Sequence, residues 1–124
     1  MEQHLTRDIL ELAVAAPGLP DGVLGWTAES ARRAIRSLRG TKVAVLAIDV
    51  YDRVVWGFAP GGESWFCQWI TGEPAVDFAH RSRSEALEWV NAFPRNNVLF
   101  VIEFTGQDAA SEATGTTGRF NDAG

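Results

Sequence analysis

Cys67, His4, His80 and Asp49 are the side chains of this 124-residue chain whose types invite chemistry. A thiol beside an imidazole would make an activated nucleophile, and the same groups ligate zinc. The spacing supports neither role, because no Cys-x-x-Cys pair and no local histidine signature accompanies Cys67. A single cysteine between Phe66 and Trp69 on a strand reads as a small core residue. Gly61-Gly62 is no phosphate loop, since it lacks the longer glycine pattern and a following Lys-Ser/Thr at a helix start. No catalytic residue, metal or cofactor is therefore expected. Asp49 ends an apolar run, where a carboxylate must reach solvent, accept hydrogen bonds or pair with a cation. It reads either as a binding or acid-base residue, or as a structural one that marks a strand end or pairs with Arg83.

Binding chemistry has more candidates. Arg32, Arg36 and Arg39 recur at spacings of four and three, which keeps them within roughly 60° on a helix. Such a stripe binds phosphate or is simply a solvated face. Trp56, Trp65 and Trp69 lie on or beside one hairpin, where strand alternation cannot bury all of them on a single face. They close the core of a small sheet, or an exposed one anchors a partner.

These residues need elements to position them. Leu5, Ile9, Leu12 and Ala16 share a sector at 100° per residue, predicting a first helix that ends at Pro17-Gly18. Thr27 is the N-cap and Gly40 the C′ residue of a second helix, with Ala28, Ala31, Ile35 and Leu38 inward. Lys42 to Tyr51 is a β-branched and apolar run suited to a central strand. Pro60-Gly61-Gly62-Glu63 reads as a turn, around which Val54–Phe58 and Ser64–Ile70 pair antiparallel. Val76 to Phe93 predicts a third helix with Phe78, Ala79, Ala86, Leu87, Trp89, Val90 and Phe93 on one side and Asp77, Arg81, Glu85 and Glu88 on the other. Pro94 stops it, and Val98 to Phe104 forms the last strand. The expectation is an α+β domain in the element order α-α-β-β-α-β, three helices on a three-stranded antiparallel sheet of order 2-1-3.

Composition sets the outer limits. At 46% hydrophobic residues the chain can bury one core without metals or disulfides. We expect one domain over residues 1–105, followed by a disordered tail at 106–124, which is rich in Gly, Thr, Ala and Ser. One cysteine permits no internal disulfide, which fits a reducing cytoplasm. Charges at Arg7, Asp8 and Glu11 break the apolar core a signal peptide needs, and no run is long enough to span a bilayer. The net charge of −5 argues against nucleic acid and for a basic protein partner. A charge of that size also serves plain solubility.

Three clusters recur here in one recognisable order: Asp49-Val50-Tyr51 closing an apolar run, Trp65-Phe66-Cys67 after Gly-Gly, and Asp77-Phe78 with Arg81-Ser82 opening a helix. Followed by a Pro and an apolar strand, they resemble the bacterial polymorphic-toxin immunity family known as immunity protein 40, over about Gly25 to Phe104. This chain has Ala47-Ile48-Asp49 where the family pattern has Gly-Gly-Asp, and Ser64 where it has Asn. The resemblance implies a cytoplasmic antidote encoded beside a secreted toxin, which it neutralises by binding rather than catalysis. It implies a cognate toxin domain as partner, no nucleic acid or membrane, and a monomer or weak homodimer. Trp65, Asp77, Arg81 and Glu85, with Asp49 and Tyr51, are then the candidate partner-binding residues. A small-molecule-binding or minor enzymatic domain, with Asp49 and Cys67 lining a cleft between hairpin and third helix, is the alternative. A structural adaptor is another.

Overall fold

Thr27 is extended, and its side chain accepts a hydrogen bond from the Ser30 N–H at 3.2 Å, which starts helix α1 (Ala28–Arg36) as the N-cap chemistry predicts. In the computed structural model, which describes residues 9–10 and 12–105, α1 buries Ala31, Ala34 and Ile35. The helix ends before Gly40, with Ser37 as its C-cap, and tight turns bond Leu38 to Ile35 and Arg39 to Arg36 before Gly40 takes φ +83°. Leu38 is buried beyond the helix end. Strand β1 (Val45–Val54) follows, then β2 (Gly57–Phe66), helix α2 (Ala75–Ala92) and β3 (Val98–Phe104).

The sheet has the expected order β2-β1-β3, with both pairings antiparallel. The helix content differs from the expectation. Among the described residues the order is α-β-β-α-β, with two helices rather than three. The predicted first helix begins on residues that lie outside those described, and only Ile9 and Leu10 of the described part are helical. From Leu12 the chain turns, and Val14 exchanges both backbone hydrogen bonds with Gly25, each at 2.8 Å. Backbone groups committed to that bridge cannot join a helical ladder. Trp26 then pairs with Phe100 on the free edge of β3, and its indole Nε1–H donates to the Ile9 carbonyl at 3.1 Å. The predicted tail at 106–124 also lies outside the described residues.

The hairpin is displaced as well. Its turn is Val55-Trp56, not Pro60 to Glu63, because Val54 already pairs with Gly57. Pro60, Gly61 and Gly62 lie inside β2, where they build a bulge: between the pairs Asp49/Ser64 and Tyr51/Pro60, Val50 alone faces Gly61, Gly62 and Glu63. Gly62 has φ +93°, the left-handed conformation such an insertion demands. Pro60 is tolerated because β2 is an edge strand.

Both helices pack on one face of the sheet. Trp26, Ile35, Leu38, Val45, Ile48, Val50, Val90 and Phe100 form the main cluster, and Ala44, Cys67, Phe78 and Ala79 a smaller one. Trp65 packs against both. Buried Ser82 ties α2 to the start of β1, accepting from the Val45 N–H at 3.0 Å while donating to the Ala79 carbonyl at 3.1 Å.

Candidate partner-binding surface

After β2 the Cys67 N–H makes a last bond to the Leu46 carbonyl, and the chain crosses to α2 through residues 68–74. That connection is folded on itself. The Glu73 N–H donates to the Ile70 carbonyl at 2.8 Å, and the Glu73 carboxylate accepts from the Ile70 N–H at 3.3 Å. Arg81, on α2, then grips the loop. Its Nε and Nη2 donate to Glu73 Oε2 and Oε1 at 2.9 and 2.8 Å, a forked pair with added directionality. Nη2 also donates to the Gln68 carbonyl at 2.8 Å, Nη1 donates to Cys67 Sγ at 3.3 Å, and Glu85 lies 3.6 Å from Nη1.

The electrostatics follow from those contacts. Arg81 holds the Glu73 carboxyl below the usual carboxylate range, and Glu73 in turn raises the guanidinium. Burial pushes the Cys67 thiol up, Arg81 opposes that shift and Glu85, 3.7 Å from Sγ, adds to it. Cys67 is thus a packed thiol in a salt-bridged corner, poorly suited to attack anything at neutral pH.

A loop braced this way can present apolar groups to water without collapsing. Trp69 rests on Phe78, ring centroids 4.9 Å apart, yet is 54% exposed. Ile70 and Val76 are also at least half exposed, so three large apolar side chains face solvent along one loop and its flank, while exposed Phe66 alternates with Trp65 and lies on the other face of the sheet. Exposed Asp77 and Glu85 border them on α2.

The six predicted binding residues separate into groups. Asp77, Arg81 and Glu85 lie on the loop-facing side of α2, and Arg81 and Glu85 are in contact. Trp65 is half-buried against the core beneath that loop. Asp49 and Tyr51 point to the opposite face of the sheet, alternating with buried Ile48 and Val50. Asp49 does not pair with Arg83. That guanidinium, on the helix side, donates instead to the Thr41 and Val43 carbonyls at 3.1 and 2.7 Å. Asp49 and Cys67 consequently share no cleft.

Sequence reasoning missed Phe66, Ile70 and Val76 as exposed groups and Glu73 as the grip of Arg81. It also missed Arg95, which donates to Asp52 Oδ1 and Oδ2 and to Glu63 Oε1 and Oε2, clamping β1, the bulged β2 and the end of α2 together. The signal for Glu63 was present, since it follows the Gly-Gly of the bulge.

The model of the family described as immunity protein 40 matches residues 18–104, which is most of the chain. The chain belongs to the immunity protein 40 family. No curated protein and no solved structure matches it significantly. The immunity protein 40 match runs from the Gly18 that docks on the hairpin to the end of β3, so it takes in the sheet, both helices and the Arg81 and Arg95 clamps. Among the described residues of this immunity protein 40 family member, no three His, Cys, Asp or Glu side chains are grouped to hold a metal ion. No helix among them is long and apolar enough to cross a membrane.

Proposed function

We propose that this chain is a cytoplasmic antidote that binds a cognate secreted toxin domain one to one and blocks it without catalysis. The observation that carries the reading is Trp69, held on Phe78 and still half exposed in a loop that Arg81 locks from α2. A pre-positioned aromatic loses little conformational freedom on docking, which is the property of an interface hot spot. Ile70 and Val76 widen the contact, and Asp77 and Glu85 supply an acidic rim. Such a rim favours a basic partner and speeds encounter.

Family membership supports the same reading, since it implies a protein toxin as partner. The alternative, a small-molecule site, finds less support. An open cleft of about 340 Å³ runs along Ala15 to Leu24, and Asp21 is its one charged side chain. Ligand sites combine enclosure with several convergent polar groups.

The test is co-expression of the neighbouring toxin with and without this chain, followed by binding measured at two ionic strengths. We expect protection, a one-to-one complex and association that slows as salt rises. Trp69→Ala should weaken binding by at least about 30-fold, the 2 kcal/mol of a hot spot. Asp49→Asn, on the far face of the sheet, should leave affinity within about twofold. Soluble expression without protection, and no complex at micromolar concentration, would overturn the proposal.

A further inference from the structure

Arg83 is the only buried charged residue among those described, 8% exposed, and it has no carboxylate partner among them. Arg81 and Arg95 each face two carboxylates, Glu73 with Glu85 and Asp52 with Glu63. Arg83 has only the carbonyls of Thr41 and Val43, both on Nη1, while its Nε and Nη2 donate to no described residue. Burial lowers its pKa, and no opposing charge offsets the shift. A buried cation in this position calls for an anion.

The charged residues around it are all arginines. His80, Arg83, Ser84 and Leu87 recur at helical spacing on the face of α2 turned toward α1, and Arg36 and Arg39 come from the end of α1 and the turn after it. Together with Ile35 they line an open cleft of about 180 Å³, and no Asp or Glu is among the lining residues. In a chain of net charge −5 this is a local concentration of positive charge. The cleft is smaller than the roughly 300–1,000 Å³ of sites that enclose drug-sized ligands, so it suits one small anionic group.

We propose that the cleft between α1 and α2 binds a phosphate-type oxyanion, held by Arg36, Arg39, His80 and Arg83. A flat carboxylate is satisfied by a single guanidinium fork, as Glu73 is by Arg81. Three guanidinium groups and an imidazole lining one cleft, from two helices and the turn after the first, match a tetrahedral anion with acceptors in several directions. Ser84 adds a hydroxyl donor at the same edge. The site is separate from the toxin-facing loop and stands or falls independently of it.

Nuclear magnetic resonance on the full chain tests this, with inorganic phosphate titrated against sodium chloride at constant ionic strength. The expected result is a saturable shift of the His80 imidazole and of amides near Arg36, Arg39 and Ser84, with an affinity on the order of 1 mM. Arg36→Gln combined with Arg39→Gln, both exposed, should weaken it at least tenfold while core amides stay unchanged. Tighter binding of O-phosphoserine than of inorganic phosphate would identify a phosphate ester as the source. The reverse order would identify the free anion. Shifts equal to those from chloride, an unchanged affinity in the double variant, or acetate binding as tightly as phosphate would each overturn the proposal.

Discussion

Arg81 and Glu73 meet in parallel, Nε to Oε2 at 2.9 Å and Nη2 to Oε1 at 2.8 Å, and that fork joins a helix to the loop bearing Trp69. Lysine keeps the charge but cannot make two aligned bonds while also reaching the Gln68 carbonyl. Arg81→Lys should therefore speed amide hydrogen exchange from Trp69 to Glu73 while core amides of β1 keep their protection. Unchanged exchange in the loop would show that the turn closes without Arg81.

The same fork makes stability acid-sensitive. Arg81 lowers the Glu73 pKa below its ordinary value of 4.5, and Arg95 does the same for Glu63. A depressed carboxylate contributes stability that is present above the ordinary value and is lost as pH falls through the lowered one. Melting temperature should drop below about pH 4.5, and Glu73→Gln should flatten part of that fall. A variant with the wild-type acid profile would contradict the linkage.

Cys67 should pack rather than react. Its thiol is raised above the ordinary 9.0 by burial, so less than about 1% is thiolate at pH 7. Alkylation of the native protein should be slow and accelerate only on unfolding. Cys67→Ala should cost on the order of 1 kcal/mol in urea unfolding, with the proposed toxin binding retained.

Two glycines should differ in what alanine does to them. At Gly18 an added Cβ would sit 1.7 Å from the Phe58 carbonyl oxygen, whereas at Gly62 it meets nothing within 4 Å. Gly62→Ala then bears only the left-handed backbone penalty, about 1–2 kcal/mol. Gly18→Ala bears that and a backbone clash, together about 2–5 kcal/mol. Denaturant midpoints of the two variants give the comparison, and equal losses would mean that residue 18 does not contact the hairpin.

Much of the architecture was legible in the sequence because local chemistry and global fold agree there. The Thr27 cap, the two-sided pattern of Val76 to Phe93 and the apolar runs at Lys42–Tyr51 and Val98–Phe104 each state a preference that packing then honours. A right-handed return from α2 that skips one strand sets β3 beside β1, in the order 2-1-3.

What tertiary structure alone decided were the partners of groups with more than one option. Pro60-Gly61-Gly62 suits a turn or a bulge equally, and pairing of Val54 with Gly57 made it a bulge. The residues from Leu12 to Ala16 carry helical spacing, yet the Val14 bridge to Gly25 took their backbone into extended pairing. Charge partners were the least legible. Nothing local tells Arg81 to choose Glu73, or Arg95 to choose Asp52 and Glu63, while Arg83 is buried against carbonyls alone. Helical and strand periodicities are written in spacings of two to four residues, whereas an ion pair forms wherever folding brings two side chains within 4 Å, and that distance exists only once the chain is packed.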